Sequence, residues 1–421
     1  VGSSALNAVT TAEGNVGVGN NAGLSITTGT KNVAIGNNAL DANTTGVENI
    51  AIGHTSLGAN TTGTNVAIGN KAMEDNTTGT RNIAMGTEAL KNNTTADDNL
   101  AIGKDALGNN TTGTQNTAIG NQALDSVTTG TGNTTMGYQA GTSITTNGNN
   151  TLIGMNSGMN VTGGGNTFVG YIDDGGVTTS GGTNTMVGQN AGQDITTGWG
   201  NVAVGVTSTN LTTGTQNAMV GRSAGQELTT GSKNIAIGND SGGALTTGDR
   251  NIFLGHEAGI SGSPGGAITT TDDKILMGPN EITHAYIQVD WSVGSDERDK
   301  TDIEDSTLGL NFVNQLEPKI FKWDKRTKYV SEEDRKTVDL DTVVHDGTHK
   351  EDWTDVGFLA QDVEILEEEY GHKISDKSNL TTNLTHDGKQ YGLTYAKFVP
   401  ILTKAIQELS AKNEALLARI V

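Results

Sequence analysis

The chain contains no cysteine, so no disulfide braces it and its redox compartment cannot be read from thiols. Aromatic residues are 4% and hydrophobic residues 33% of 421, too few large side chains for an ordinary spherical core. So little apolar content would also suit a disordered chain. However, there are only four prolines, and the apolar residues recur at fixed positions. No Lys/Arg cluster stands out against a net charge of −21, which argues against a nucleic-acid partner. No apolar run is long enough to span a bilayer, so membrane insertion is not expected. No leader segment is evident, and a chain beginning at Val1 rather than Met is expected to be a piece of something longer. No cofactor or metal motif is evident.

Glycine, by contrast, is abundant, at 59 residues. Its positions reveal a repeat. "NVAIGNNALDANTTG" at 32–46 returns as "NIAIGHTSLGANTTG" at 49–63 and "NVAIGNKAMEDNTTG" at 65–79. Aligned on the Gly that closes the "AIG" phrase, the register runs from Gly19 through Gly36, Gly53 and Gly69 to Gly255, usually in steps of 17 residues. Gly2 and Gly278 extend it, the latter after a longer insert containing Pro264. Each unit has an Asn before the motif, a triplet such as Val33-Ala34-Ile35, a small residue three places after the Gly, and a Thr-Thr pair.

Seventeen residues are too few for a helix pair. Two short strands and two turns per unit are expected, stacked as the coils of a β-solenoid. About sixteen coils would make a rod on the order of 75–80 Å long. Val/Ile/Met ladders are expected to fill a narrow core, Asn and Thr ladders to satisfy the bends, and Gly to sit where φ is positive or backbones crowd. The middle residue of each triplet, Ala34 to Ala101 and later Leu152, Phe168, Met186, Met219, Phe253 and Leu276, is expected to point outward and form a self-association surface.

The "NxVAIG"-like phrases over most of residues 15–255 resemble the head repeats of trimeric autotransporter adhesins. That resemblance implies a trimeric β-roll. The unit here is longer than theirs, and no C-terminal membrane anchor of their kind follows. Two other motifs are discounted. "NTT" at Asn43, Asn60, Asn76, Asn93 and Asn110 matches a glycosylation acceptor but reads better as a ladder. "GGGNTFVG" lacks the Lys-Ser/Thr ending of a phosphate loop.

The composition changes near residue 294. The first 294 positions hold 30 charged residues and the remaining 127 hold 43. "HAYIQVDWSVG" at 284–294 reads as an alternating strand leading into "SDERDKTDI". Alone, the latter reads as an acidic loop with Ser295 as a helix N-cap. It is followed, in order, by "FVNQLEPKIFKW", "GFLAQDVE" on a helix expected near Gly357, and "YGLTYAKFVPILTKAIQELSAKNEALL". Together these phrases, over about 295–421, resemble the peptidase S74 family, the intramolecular chaperone domain of bacteriophage tail fibres, tailspikes and neck appendages.

The resemblance implies that this domain trimerises, templates folding of the preceding β-structure and then cuts itself off. The scissile bond would be Gly294–Ser295, with Ser295 as nucleophile and Lys300 as general base. Five residues of separation could bring the pair together in a turn, and burial would lower the lysine pKa. Asp296 and Arg298 match the motif and are assigned to local structure, as are Gln361 and Asp362. Beyond this single-turnover step no substrate-turnover enzyme is evident.

Independently, Val399, Leu402, Ile406, Leu409, Asn413, Leu416 and Ile420 are spaced 3, 4, 3, 4, 3, 4, an a/d seam with Asn at an a position. Pro400 sits near the helix start, where it is tolerated. The expected organisation is mostly β: a trimeric β-solenoid or β-roll over 1–280, a connecting strand over 281–294, a small α+β chaperone domain over 295–398 and a coiled-coil helix over 399–421.

The expected role is a structural, receptor-binding tail fibre or tailspike in a virion, a homotrimer contacting a host surface receptor or glycan and other tail proteins. The alternatives are a bacterial surface adhesin carrying the same chaperone, or a glycan-degrading tailspike. The last needs a carboxylate pair, and neither Asp97–Asp98 nor Asp173–Asp174 shows a catalytic pattern. Trp199, Tyr138 and Tyr171 could stack on sugars but read better as packing residues.

Overall fold

The structure is a computed structural model describing residues 2–171, 179–206, 210–279, 282, 284–288, 292–331, 334 and 338–420. It divides into two compact units: Val1–His256 with Thr269–Ile275, and Glu257–Ile268 with Leu276–Val421.

The first unit is the solenoid. Sixteen three-residue strands, numbered in chain order from β1 (Val16–Val18) to β16 (Ile275–Met277), form one parallel sheet in sequence order. Register is strict: Val33 lies opposite Ile50, Ala34 opposite Ala51, Ile35 opposite Ile52. Each coil therefore has one strand, not the expected two. The remainder consists of turns and bends tied to the next coil by single backbone bonds, such as Thr27 N–H to Thr44 O at 3.1 Å.

Asparagine replaces the missing regular ladder. The Asn82 side chain accepts from Asn99 N–H at 3.0 Å and donates to Ala96 O at 2.8 Å, while Asn82 N–H donates to Asn65 Oδ1 at 3.0 Å. The "NTT" asparagines are fully buried and form a second column, with Asn93 Nδ2 donating to Asn76 Oδ1 at 2.8 Å. Glycine closes each strand where the coils touch. Gly86 has φ 142°, and a Cβ there would meet Gly103 O at 2.4 Å.

The triplet faces the opposite way from the expectation. The middle residues are buried: Ala34, Ala84, Leu152, Met186 and Phe253 have no exposed surface. The flanking Val/Ile/Met residues, expected to fill the core, are half-buried or exposed, as with Ile83 at 40% and Met85 at 41%. The cause is volume. Inside the early coils, the Ala34 position shares space with a large residue six places on, buried Leu40, and the same holds for Ala84 and Leu90. Where the middle residue grows to Leu152, Met186, Met219 or Phe253, the residue six places on is Gly. A Cβ on Gly158 would lie 2.8 Å from Leu152 Cδ2, and one on Gly192 would lie 2.7 Å from Met186 Sδ. The core is thus an Ala/Leu/Asn stack, with an apolar column on its outside. From Val18 to Met277, all sixteen strands end on Val, Ile, Leu or Met.

In the second unit, residues 284–288 and 292–294 form no strand, and 289–291 lie outside the described residues. Alternation alone supplied no pairing partner there: Tyr286 is 92% exposed. Helix α1 (Leu310–Val313) leads to β17 (Lys319–Phe321), which pairs antiparallel with β18 (Asp355–Gly357). Gly357 is consequently a strand residue, and helix α2 (Ala360–Glu369) starts three residues later than expected. Hairpin β19 (Thr382–Leu384) and β20 (Tyr391–Leu393) precedes helix α3 (Phe398–Leu417).

The core joins Leu308 and Phe312 with Val363 and Leu366 of α2 and Phe398 and Ile401 of α3. Two carboxylates pin these parts together. Glu408 of α3 accepts from Leu310 N–H at 2.9 Å, capping α1. Glu367 of α2 is fully buried and accepts from the backbone and hydroxyl groups of both Thr381 and Thr382.

Candidate functional site

The segment after Gly294 folds into a compact turn. Asp296 is extended (φ −68°, ψ 133°) and caps a 3-10 turn at Glu297–Asp299 by accepting from Arg298 N–H at 3.0 Å. The cap is Asp296, not Ser295. The Arg298 side chain returns to the same carboxylate, donating Nε to Oδ1 at 3.0 Å and Nη2 to Oδ2 at 2.6 Å. The Arg298 side-chain bonds, then its backbone N–H, hold the Asp296 carboxyl below the usual range.

The turn closes when Asp299 N–H reaches Asp296 O at 3.2 Å and Lys300 N–H reaches Glu297 O at 3.1 Å. Lys300 then leaves in extended conformation, and its side chain doubles back. Its Nζ lies 2.7 Å from Ser295 Oγ and 3.2 Å from Ser295 O. The two residues are thus brought together across five positions of sequence. A protonated amine donates to Oγ across this contact, and a neutral amine accepts the hydroxyl proton across it. Both side chains are exposed in the single chain. Gly294 is open as well, with no atom within 4 Å of where a Cβ would stand.

The seam residues lie along the exposed side of α3. In α3, Phe398, Ile401 and Ala405 pack inward, whereas Val399 (64%), Leu402 (44%), Ile406 (67%) and Leu409 (46%) are exposed. Asn413 and Leu416 continue the exposed row, and Ile420 lies in the turn beyond the helix. Gln361 and Asp362 lie in the first turn of α2.

Among the other candidates, Asp97 and Asp98 are both paired with Arg81, at 3.3 and 2.6 Å. Asp173 and Asp174 lie outside the described residues. Trp199 and Tyr138 are half-exposed, and Tyr171 is partly buried. Among the described residues, no group of three or more His, Cys, Asp or Glu could hold a metal, and no helix is long and apolar enough to cross a membrane.

Sequence reasoning missed two features. One is the Asp296 cap, which the Asp-x-Arg spacing could have signalled. The other is the outward apolar column, which the Ala-with-Leu to Leu-with-Gly exchange could have signalled.

Residues 295–371 match the peptidase S74 family, described as chaperone of endosialidase. The match begins at Ser295 and ends before the hairpin and α3. No curated protein matches the chain. A β-solenoid followed by a chaperone segment of this kind fits a tail fibre, tailspike or adhesin.

Proposed function

We propose that this chain is a bacteriophage tail fibre or tailspike protein, resident in the virion, that assembles with two further copies and contacts a host surface receptor or glycan and other tail proteins. Residues 295–421 act as its trimerising chaperone and then cut themselves off between Gly294 and Ser295. The observation that carries this reading is the Ser295–Lys300 contact at the first residues of the family match.

Assembly is supported by two apolar surfaces left open in one chain. The outer column of the solenoid repeats over sixteen strands as a row of exposed or half-buried Val, Ile, Leu and Met, the kind of apolar surface that marks an association site. The α3 face has heptad spacing. Near-identical coils are prone to register slips, and a separate nucleus that sets three chains in register counters them.

Lys300 Nζ, as the free amine, takes the proton from Ser295 Oγ. The oxygen attacks the Gly294 carbonyl carbon, the Gly294–Ser295 C–N bond breaks, and the leaving nitrogen takes the proton back from Lys300. Water then hydrolyses the resulting ester, leaving a Gly294 carboxylate and restoring the Ser295 hydroxyl. Once the covalent tie to the nucleus is cut, the product is kinetically trapped.

Native mass spectrometry of the freshly expressed chain tests this reading. It should give a trimer of chains cut after Gly294, and a monomer of uncut chains would refute it. A bacterial adhesin is the second reading, favoured by the likeness of the array to adhesin heads. Immunogold labelling of virions against bacterial surfaces separates the two.

A further inference from the structure

We propose that the insertion Glu257–Ile268 is a docking element that keeps residues 295–421 bound to the solenoid after the chain is cut, an inference resting on the reading that it is cut. The usual coil step is 17 residues, as from Thr229 to Thr246, but Thr246 bonds to Thr269 across 23. The longer step is accommodated by a loop whose two ends both return to the array, yet whose residues belong to the second compact unit.

This loop is built to be gripped. Ala258, Ile260, Ser261, Ser263 and Ile268 are buried, and Ser263 Oγ ties its base by accepting from Gly259 N–H at 3.0 Å. Two separate parts of the C-terminal segment hold it. Gly262 lies so close to Thr327 that a Cβ there would be 2.7 Å from Thr327 Cγ2. At the tip of the β19–β20 hairpin, His386 N–H donates to Gly265 O at 3.2 Å, and Asp387 Oδ2 accepts from Ala267 N–H at 3.3 Å. Asp387 is itself fixed, its Oδ1 accepting from Thr385 Oγ1 at 2.6 Å. Every loop residue lies before the scissile bond and every gripping residue after it. Cutting at Gly294 therefore removes the covalent tie and none of these contacts.

The test uses Ser295→Ala chains with a foreign protease site inserted after Gly294, so the cut does not depend on the self-cleavage chemistry. After cutting, native size-exclusion chromatography should show 295–421 co-eluting with the solenoid. It should elute separately when Asp387→Ala is combined with Gly262→Val, or when the insertion is shortened to the usual step. Separation from the unsubstituted loop immediately on cutting would overturn the proposal. Continued co-elution with the shortened loop would overturn it too. If the shortened chain does not fold, the Asp387→Ala/Gly262→Val chain decides: separation supports the proposal and retention refutes it.

Discussion

Lys300 Nζ lies 2.7 Å from Ser295 Oγ, and Asp296 shapes the turn that brings them together. The carboxylate of Asp296 caps the 3-10 turn and takes both arms of Arg298. Loss of such a cap costs about 1 kcal/mol. If that falls on the productive turn, Asp296→Ala should slow cleavage roughly five- to tenfold. Asp296→Asn keeps an oxygen for Arg298 N–H and should lose less. Cleavage half-times on denaturing gels check the order: wild type fastest, then Asn, then Ala.

The inward direction of the middle triplet residue predicts a compensating pair. Ala84→Leu adds volume against buried Leu90 and should cost about 1–3 kcal/mol. Adding Leu90→Gly reproduces the Leu152–Gly158 arrangement and should recover most of that loss. It also relieves the left-handed φ of 49° at Leu90. Denaturant midpoints of the single and double variants measure the recovery.

Substitutions one residue away should act differently. Met85→Asp faces outward, so the coil should keep its β-circular dichroism while the chains lose their association. Ala84→Asp places a charge in the coil core and should unfold that region. Analytical ultracentrifugation with circular dichroism separates the two outcomes.

Glu367 predicts a pH dependence of the second unit. Burial pushes its carboxyl pKa up, but the bonds from Thr381 and Thr382 outweigh burial and leave it lowered. A lowered folded-state pKa means the stabilisation is present above the unfolded value, near 4.3, and is lost as pH falls through the folded value. Glu367→Ala leaves four buried donors without that acceptor and should cost about 2–4 kcal/mol at neutral pH. Its thermal stability should also vary less with acidification than that of the wild type. Melting curves from pH 7 to pH 3 show both effects.

Much of the solenoid was legible because repetition makes local chemistry unambiguous: the 17-residue step, the Asn column and the strand-closing glycines all stand in the letters. Which face of the triplet is inside was not, because a three-residue alternation has two equivalent orientations. Only the pairing of Ala84 with Leu90 and of Leu152 with Gly158 breaks that tie, and it spans six positions. Non-local contacts hid the rest. Gly357 is a strand residue because Lys319 pairs with it, and residues 284–288 and 292–294 show how alternation without a partner yields no strand. At the site, the five-residue spacing of Ser295 and Lys300 made a turn conceivable. The double use of Asp296 by the backbone and guanidinium of Arg298 is a matter of geometry that spacing does not convey.

The most direct test is intact mass under denaturing conditions, for freshly expressed wild type beside Ser295→Ala and Lys300→Ala. The account predicts wild type split after Gly294 and both variants whole. Wild type remaining whole, or Lys300→Ala splitting as fast as wild type, would contradict it and withdraw the catalytic roles of the pair.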